Sequence, residues 1–315
     1  MLTRKKALVA ANESTYGEAP DIETGTMMLV TELTRTPYQG NTVERTRMRD
    51  ALGGYAQINT GPNVQVQVTI PGSGSGVAPT AEAVTAPAAG ILLRACGLAE
   101  VQDLELGEVR YEPISEDGDS VTLFYLQDGE LQVVRGARGT LTGTFNTAGL
   151  PMLQFTFTGI YDRPKKAERI TLAPEGQADE IPVNFQNTTK FTVLGYEARG
   201  ESFSFDLGNT VNYRNLVNYE GVHIDDRAST GQVNFEAPPI DQWDAFERVE
   251  SHKLVTTGPI QMEHGTQPGN IIGIRTRKTQ LTGISEQDSN GRVHYQMDCR
   301  HLPDAGDDEL VLYFK

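Results

Sequence analysis

Two stretches of nine residues decide how this chain is organised: "RGARGTLTG" at 135–143 and "RTRKTQLTG" at 275–283. They share arginine, leucine, threonine and glycine at matching places, 140 positions apart. Turn residues follow each stretch, and an apolar residue then occupies every second position over 153–157 and 293–299. Such alternation is typical of a half-buried β-strand, so the sequence predicts the same hairpin twice.

Other matches between the two parts of the chain occur in the same order. Residues 43–68 are echoed by 211–235, where matching arginines and matching valines lie 167 positions apart. A helix-like segment then follows Pro79 in the first part and Pro239 in the second. Three ordered matches indicate an internal duplication more strongly than one short match does.

A polar segment separates the two predicted copies. Residues 161–182 hold few apolar side chains and three prolines, which is the composition of a linker. A chain of 315 residues also suits two domains of ordinary size. We therefore predict a first domain over 1–165, which begins with an arm over 1–15, and a second domain over 166–315.

The predicted secondary structure is mainly β. Apolar and polar residues alternate around Val66, Phe155 and Phe205, and turn residues separate the alternating runs. Helical periodicity is confined to about 79–98 and about 240–253. The sequence thus predicts two tandem antiparallel β-sandwich or rolled-barrel domains, each with one packed α-helix.

Composition excludes several classes of protein. The chain has 27 lysines and arginines against 42 acidic residues, and a formal net charge of −15. This argues against a protein that grips nucleic acid through phosphate contacts, because those contacts need clustered cations. No apolar run has the length of a membrane span or signal peptide, so we expect folding in a cytoplasm. Two cysteines, Cys96 and Cys299, agree with a reducing compartment.

The residues support no catalytic, cofactor or metal site. The five histidines show no paired metal-ligand spacing, and the glycine-rich loop at 71–76 lacks the Lys-Ser/Thr of a phosphate loop. Residues 100–130 hold ten acids and one arginine, which in an acidic chain is more typical of a solvated surface than of catalytic machinery. We therefore predict no enzymatic activity, no cofactor and no metal.

Several segments match a known family in order and composition. They are "ESTYGEAP" at 13–20, "GSGSGVAP" at 72–79 and, most closely, the long segment 118–161. The second part follows the same outline through "FSFDLGNTVNYR" at 203–214 and "GNIIGIRTRKTQLTG" at 269–283. On these residues the chain resembles the tail tube proteins (major tail proteins) of bacteriophages with long non-contractile tails, with the tube domain duplicated.

This resemblance implies a fold and a structural function. The family fold is a rolled antiparallel β-sandwich or barrel with a packed helix. Its subunits form rings, and the rings stack into the hollow tail tube of the virion, through which phage DNA leaves. The implied partners are other copies of the chain, the tape measure protein, the tail tip or baseplate proteins and the tail terminator. Assembly is expected in the cytoplasm of the host bacterium.

The resemblance also leads to expectations about the ring. Six tube domains surround the channel in this family, so three chains with two domains each would complete a pseudo-six-fold ring, whereas six chains would widen the bore. The arm and the polar connection from about Arg35 to Gly54 are too long for tight hairpin loops, and we predict that they contact the neighbouring ring. The predicted inter-ring residues are Tyr16, Arg35, Arg45, Arg47 and Arg49.

An acidic protein suits a channel that carries DNA. Acidic or neutral walls repel phosphates weakly within a Debye length of about 8–10 Å, so DNA slides past without specific binding. The predicted lining acids are Asp117, Asp119, Asp225 and Asp226. Acidic residues would also keep a strand-rich monomer soluble before assembly.

Two other functions stay open on the sequence alone. Contractile secretion systems build hexameric rings from a related fold, although their subunits are generally single domains. A carbohydrate-binding β-sandwich would display exposed aromatic side chains. Aromatic residues make up 7% of this chain, and its one tryptophan, Trp243, lies in a helix-like stripe.

Overall fold

The computed structural model describes residues 2, 4–116, 118–168, 173–252 and 254–315. This part of the chain is mainly β, with antiparallel strand pairs and two short α-helices. The structure confirms the predicted fold class. Alternation decides it: along the strand formed by Asn63–Pro71, every second side chain is buried.

The first half of the described chain forms eleven strands, one α-helix and a short 3-10 helix over Ile22–Thr24. The strands are β1 (Lys6–Asn12), β2 (Thr26–Met28), β3 (Glu32–Gln39), β4 (Thr42–Glu44), β5 (Gln57–Asn59), β6 (Asn63–Pro71), β7 (Leu98–Asp103), β8 (Glu108–Pro113), β9 (Val121–Gln127), β10 (Glu130–Asn146) and β11 (Met152–Tyr161). The helix is α1 (Gly90–Arg94), between β6 and β7.

The second half of the described chain also forms eleven strands and one helix. The strands are β12 (Lys165–Lys166), β13 (Thr188–Val193), β14 (Tyr196–Glu197), β15 (Gly200–Asp206), β16 (Asn209–Leu216), β17 (Tyr219–Arg227), β18 (Thr230–Glu236), β19 (Thr257–His264), β20 (Ile272–Ser289), β21 (Arg292–Leu302) and β22 (Val311–Phe314). The helix is α2 (Ala245–Val249), between β18 and β19.

Both halves pair their strands in the same order. Across the first sheet the order is β3-β6-β11-β10-β9-β1. Across the second it is β15-β18-β21-β20-β19-β13. A two-stranded hairpin leaves each sheet after its first strand, β4–β5 in one half and β16–β17 in the other. The structural repeat follows the order of the sequence echoes, and the echoed stretches 135–143 and 275–283 lie on the corresponding long strands β10 and β20.

Tight turns set the register of two hairpins. Asp128 and Gly129, between β9 and β10, have φ of 45° and 93°. Asn290 and Gly291, between β20 and β21, have φ of 56° and 79°. Positive φ at both central residues suits the right-handed twist of the flanking strands, and Asp-Gly and Asn-Gly adopt it most readily. Both turns confirm sequence predictions.

One cluster of buried apolar side chains runs through both halves. It contains Val66 and Phe155 from the first half together with Phe205, Leu281 and Met297 from the second, all fully or almost fully buried. Burying a side chain of this size contributes about 1.5–3 kcal/mol. The core therefore stabilises the two halves together.

Both helices are much shorter than the sequence predicts. The segment 79–98 is helical only over α1, which starts after Pro87 and ends before Gly97, where φ is 75°. In 240–253, Asp244 caps α2 by accepting hydrogen bonds from Phe246 N and Glu247 N, each at 3.0 Å. A strong cap fixes where a helix begins, and the apolar spacing around it does not.

The predicted linker over 161–182 is bound along the first half. Ala88 N donates to Gly176 O at 2.8 Å, and Ala178 N donates to Gly74 O at 2.9 Å. Leu29 N donates to the side chain of Gln177 at 2.7 Å. Residues 169–172 lie outside the described residues. The division into domains at 165/166 stays a prediction.

The residues predicted as an N-terminal arm lie mostly in the fold. β1 is paired on both sides, with β2 and with β9, and Leu8 and Ala10 have no exposed surface. These residues belong to the core of the first half.

Candidate assembly surface

The two halves are joined edge to edge by a short strand pair, which we call the internal junction. Residues 142–146 at the end of β10 pair antiparallel with residues 202–206 of β15. β9 stops pairing with β10 at Ala137, so the edge of β10 is free to accept β15 beyond that point. The sheet of the first half therefore continues into the sheet of the second.

A glycine allows the close approach at this junction. A Cβ at Gly143 would lie 2.1 Å from Cε1 of Phe205, which is the residue directly opposite. Phe205 is 1% exposed, so its ring cannot move aside without disturbing the core. The glycine of the first echoed stretch is thus required by the contact between the halves.

The β16–β17 hairpin strengthens the junction by lying across β10 and β11. Asn209 Nδ2 donates to Gly139 O at 2.9 Å, and Arg138 donates to Val222 O at 3.1 Å. The hydroxyl of Tyr16 donates to Gly136 O at 3.2 Å and accepts from Val222 N. The hairpin of the second half is therefore held on the first half by polar contacts as well as by packing.

A second contact between the halves is formed by the last strand. β22 pairs with the start of β20 on one side and with β8 of the first half on the other. The carboxylate of Glu108 on β8 is fully buried; it accepts a hydrogen bond from Arg275 and lies 3.6 Å from Lys315 Nζ. This buried charge on β8 is neutralised by cations of the second half.

Beyond the internal junction, several strand edges have no partner strand in the described chain, and two of them correspond to the edges that meet at the junction. β20 pairs with β19 as far as Gln280, and its opposite edge pairs with β21 up to Ser289. Residues 282–289 of β20 therefore have an open edge. The equivalent edge of β10 is paired with β15. The second open edge belongs to β3, which pairs only with β6 among the described strands.

The long connection from β3 to β6 is exposed. Every residue from 41 to 54 is exposed, and Met48 and Leu52 are fully so. Arg45, Arg47 and Arg49 all lie in this segment. Arg49 donates to Gly54 O at 2.9 Å, and its guanidinium lies 4.6 Å from the centroid of the Tyr55 ring. Exposed apolar and cationic side chains together are typical of a contact surface.

The other two predicted inter-ring residues, Tyr16 and Arg35, contact their own chain. Arg35 lies over the Tyr125 ring at 4.3 Å and donates to Gln132 Oε1 at 2.8 Å. Burial raises the pKa of the Tyr16 hydroxyl, although its hydrogen bond with Val222 opposes that change. The structure thus brings the three exposed arginines together on one segment and places Tyr16 and Arg35 elsewhere. Their inter-ring roles stay a prediction.

The predicted lining acids fall at separate places. Asp117 lies outside the described residues. Asp119 accepts a hydrogen bond from Arg94 Nε at 2.7 Å. On β17, Asp225 accepts from Asn212 Nδ2 at 2.7 Å, and Asp226 accepts from Arg227 N at 2.8 Å. All three described carboxylates belong to residues with exposed or half-exposed side chains, and their role as channel lining stays a prediction.

The buried reactive groups are held in unreactive forms. Burial raises the pKa of Cys96 well above its ordinary value and that of Cys299 to about 12, so both thiols stay protonated. Burial lowers the pKa of His301 to about 4, so its ring is neutral. In the described residues, no group of three or more histidine, cysteine or acidic side chains could hold a metal ion. No helix described there is long and apolar enough to cross a membrane.

Two features of the assembly surface were missed by sequence reasoning. One is the ion pair of Glu108 with Arg275, although an acid inside the short apolar run of β8 was a possible signal. The other is the open edge of β20. The shared glycine at 143 and 283 pointed to it, since one glycine serves a contact and the other has none within the chain.

Comparison with known proteins identifies the family. A family model described as phage tail tube protein matches residues 3–299, which include the internal junction and most of both halves. No match was found among curated proteins. A mainly β, antiparallel fold that repeats its strand order agrees with a structural protein of a tail tube. The chain belongs to the phage tail tube protein family.

Proposed function

We propose that this chain assembles into rings of three copies and that the rings stack into the hollow tail tube. The observation that carries the proposal is the repeated strand order, because it gives each chain two similar β-units within the one stretch that matches the tail tube family. Three such chains supply six units around the channel. The domains over 1–165 and 166–315 are then equivalent members of one ring.

The tube is proposed to carry phage DNA without binding it. The net charge of −15 supports this, because cations on the wall would hold the phosphates. Asp117, Asp119, Asp225 and Asp226 are proposed to contribute to the lining. Replacement of Asp225 and Asp226 by lysine should slow DNA release from otherwise normal particles, and unchanged release would remove these two acids from the lining.

The proposed partners are further copies of the chain and the other components of a tail. These components are the tape measure protein, the tail tip or baseplate proteins and the tail terminator. The mature location is the virion, after assembly in the host bacterial cytoplasm. The proposed contacts between stacked rings use Tyr16, Arg35, Arg45, Arg47 and Arg49.

The stacking contacts are tested with a charge variant. Replacing Arg45, Arg47 and Arg49 by serine should leave folded chains that form rings but not long tubes, because the three cations reach the next ring. A matched control replaces the exposed Lys165 and Lys166 by serine. Normal tubes from the arginine variant would contradict the stacking role.

Electron microscopy of the purified protein, with its mass measured in solution, tests the ring itself. The expected image is a ring or tube with a central channel, three copies per layer and six similar lobes. Six chains per layer would keep the tube but overturn the equivalence of the two halves. A compact monomer at every concentration would overturn the proposed function.

A further inference from the structure

We propose that the ring closes through a copy of the internal junction. The open edge of β20 over 282–289 pairs antiparallel with β3 (Glu32–Gln39) of the next copy. This inference rests on the proposed function and adds to it the strands that meet between chains. It follows from comparing the strand edges that are paired in one half with the equivalent edges that are open in the other half.

The first argument comes from the strand edges. β10 and β20 occupy the same place in their sheets, as do β3 and β15. β15 is paired with β10, whereas β3 and the last part of β20 have no partner for the equivalent edges in the described chain. Accordingly, five of the eight residues of β3 are exposed, against one of the seven in β15. An open strand edge is a template for another strand.

The second argument comes from the hairpins. β16–β17 packs across β10 and β11, and this contact accompanies the pairing of β15 with β10. Its counterpart, β4–β5 with the connection between them, is exposed over 41–54. The face on which it would lie, the outer face of β20 and β21, is equally uncovered: Ser285, Gln287 and Asp298 are exposed. If β3 of one chain paired with β20 of the next as β15 pairs with β10, the β4–β5 hairpin would lie on β20 and β21, and both exposed surfaces would be covered.

The third argument is the glycine at 283. A β-bulge beside Leu281 turns Gly283 to the outer face of the sheet, where it pairs with the exposed Asp298, whereas Gly143 faces the core. A Cβ at 283 would meet only the carboxylate of Asp298, at 3.2 Å, so nothing in the described chain requires a glycine there. The hairpin of the next copy would lie on this outer face and supply a neighbour.

Charge complementarity favours a second copy as the occupant. The open edge of β20 carries Glu286 and Asp288, both exposed. The segment that follows β3 carries Arg45, Arg47 and Arg49, also exposed. Opposite charges on the two surfaces steer them together and disfavour contact of like edges. Steering acts over about a Debye length, before the surfaces touch, so the arginines would guide the approach to β20 and still reach the neighbouring ring once the ring has formed.

The contact is heterologous, with β20 of one chain against β3 of the next, so repeating it leads around a ring. Pro37 has no N–H to donate, and we therefore expect the hydrogen-bonded part of β3 to be residues 32–36. In each chain, β20 would pair with β3 of one neighbour, and β3 would pair with β20 of the other neighbour.

Cysteine cross-linking tests the pairing directly. One variant carries Ser285→Cys on β20 and another carries Thr34→Cys on β3; both positions are exposed in the monomer, and both native cysteines are buried. A short bismaleimide should join the two variants into dimers when they are mixed and assembled. Neither variant alone should cross-link, because equal edges do not meet. A chain that carries both cysteines should give covalent products up to the size of the ring.

An antiparallel ladder gives a second signature. Moving the β3 cysteine to Thr36 should shift the preferred partner on β20 from Ser285 toward residue 283. The internal control is a chain with Thr144→Cys and Ser204→Cys, which are directly opposite in the internal junction and should cross-link within the monomer.

The outcomes separate this inference from the proposed function. Rings or tubes seen by electron microscopy, with the control cross-linked but no dimers from the mixed variants, would overturn the strand assignment and leave the tube intact. Dimers from one variant alone would overturn the heterologous contact. A chain that stays monomeric under all conditions would overturn both proposals.

Discussion

β3 and β15 occupy the same place in two similar sheets, yet their surroundings differ. β15 lies against β10 and buries Phe203 and Phe205, each 1% exposed. β3 has only β6 as a partner strand in the described chain, and its central inward residue is Arg35. The difference teaches that the duplication extends to the order of six strands in each half but not to their contacts. β15 of the second half pairs with β10 of the first half, whereas β3 of the first half has no equivalent partner strand in the described chain.

The largest expected effect contrasts the ion pairs of the two echoed arginines. Arg275 contacts the fully buried Glu108, whereas Arg135 forms a two-pronged pair with the partly exposed Asp162, at 2.8 and 2.9 Å. Arg275→Ala should lower the free energy of unfolding by about 3–5 kcal/mol, because it leaves the fully buried carboxylate of Glu108 without its hydrogen-bond donor. Asp162→Ala should cost about 1 kcal/mol or less. Urea denaturation measures both, and equal losses would contradict the contrast.

Acid sensitivity should reside in the second half. The first 165 residues contain no histidine, and burial lowers the pKa of His301 to about 4 from an ordinary 6.5. The unfolded chain therefore takes up a proton at higher pH than the folded chain does. The stability from His301 is complete above about pH 6.5 and falls by about 1.4 kcal/mol per pH unit toward pH 4, about 3 kcal/mol in all.

The check is urea unfolding between pH 7 and pH 4, followed by the fluorescence of Trp243 in the second half. His301→Phe should flatten the dependence, since its ring cannot take up a proton. A smaller slope should remain, because burial also lowers the pKa of His264. An unchanged slope in the variant would contradict the assignment to His301.

A pair of glycine variants tests the internal junction against its open counterpart. Gly143→Ala should lower the free energy of unfolding by about 2 kcal/mol, because its Cβ would overlap the Phe205 ring. Gly283→Ala should change it by less than about 0.5 kcal/mol, since its Cβ would meet only a carboxylate oxygen at 3.2 Å. Thermal unfolding of the monomers measures both values. Equal losses of stability would mean that β10 and β20 do not differ in the space available for a Cβ at these two positions.

The smallest effects are expected for the acids proposed to line the channel. Asp119 pairs with Arg94, and both side chains are at least 31% exposed. Asp119→Asn should therefore change the free energy of unfolding by about 0.5 kcal/mol or less, as should Asp225→Asn in the second half. Such variants change the charge proposed to line the channel while leaving the free energy of unfolding almost unchanged. A loss of several kcal/mol in either would show a structural role instead.

Local pattern was sufficient for much of this fold. Alternating side chains located β6, β11 and β15, and the Asp-Gly and Asn-Gly turns were read correctly because those residues adopt positive φ readily. The two helices were predicted over about 79–98 and about 240–253. In the structure α1 covers only Gly90–Arg94, and α2 covers only Ala245–Val249, between the caps Asp244 and Glu250. Helix ends depend on capping and on the turn that follows.

The assembly surface was less accessible to sequence reasoning. Exposed Arg45, Arg47 and Arg49 follow from a polar segment without periodicity, but the inward position of Arg35 does not. It depends on Tyr125 and Gln132, which are about 90 residues away in the chain and lie beside it only in the folded sheet. The open edge of β20 likewise becomes visible only when every pairing of β10 and β20 is known.

For the proposed ring of three chains, closed as inferred above, the internal junction has a mechanical consequence. Half of its lateral joints are made when each chain folds, between strands that a covalent backbone keeps at high effective concentration. The other half form only when separate chains meet, and they depend on protein concentration. Such a ring alternates permanent seams with reversible ones. Under outward force it would open at three places, and each fragment released would be a complete chain with its internal seam intact.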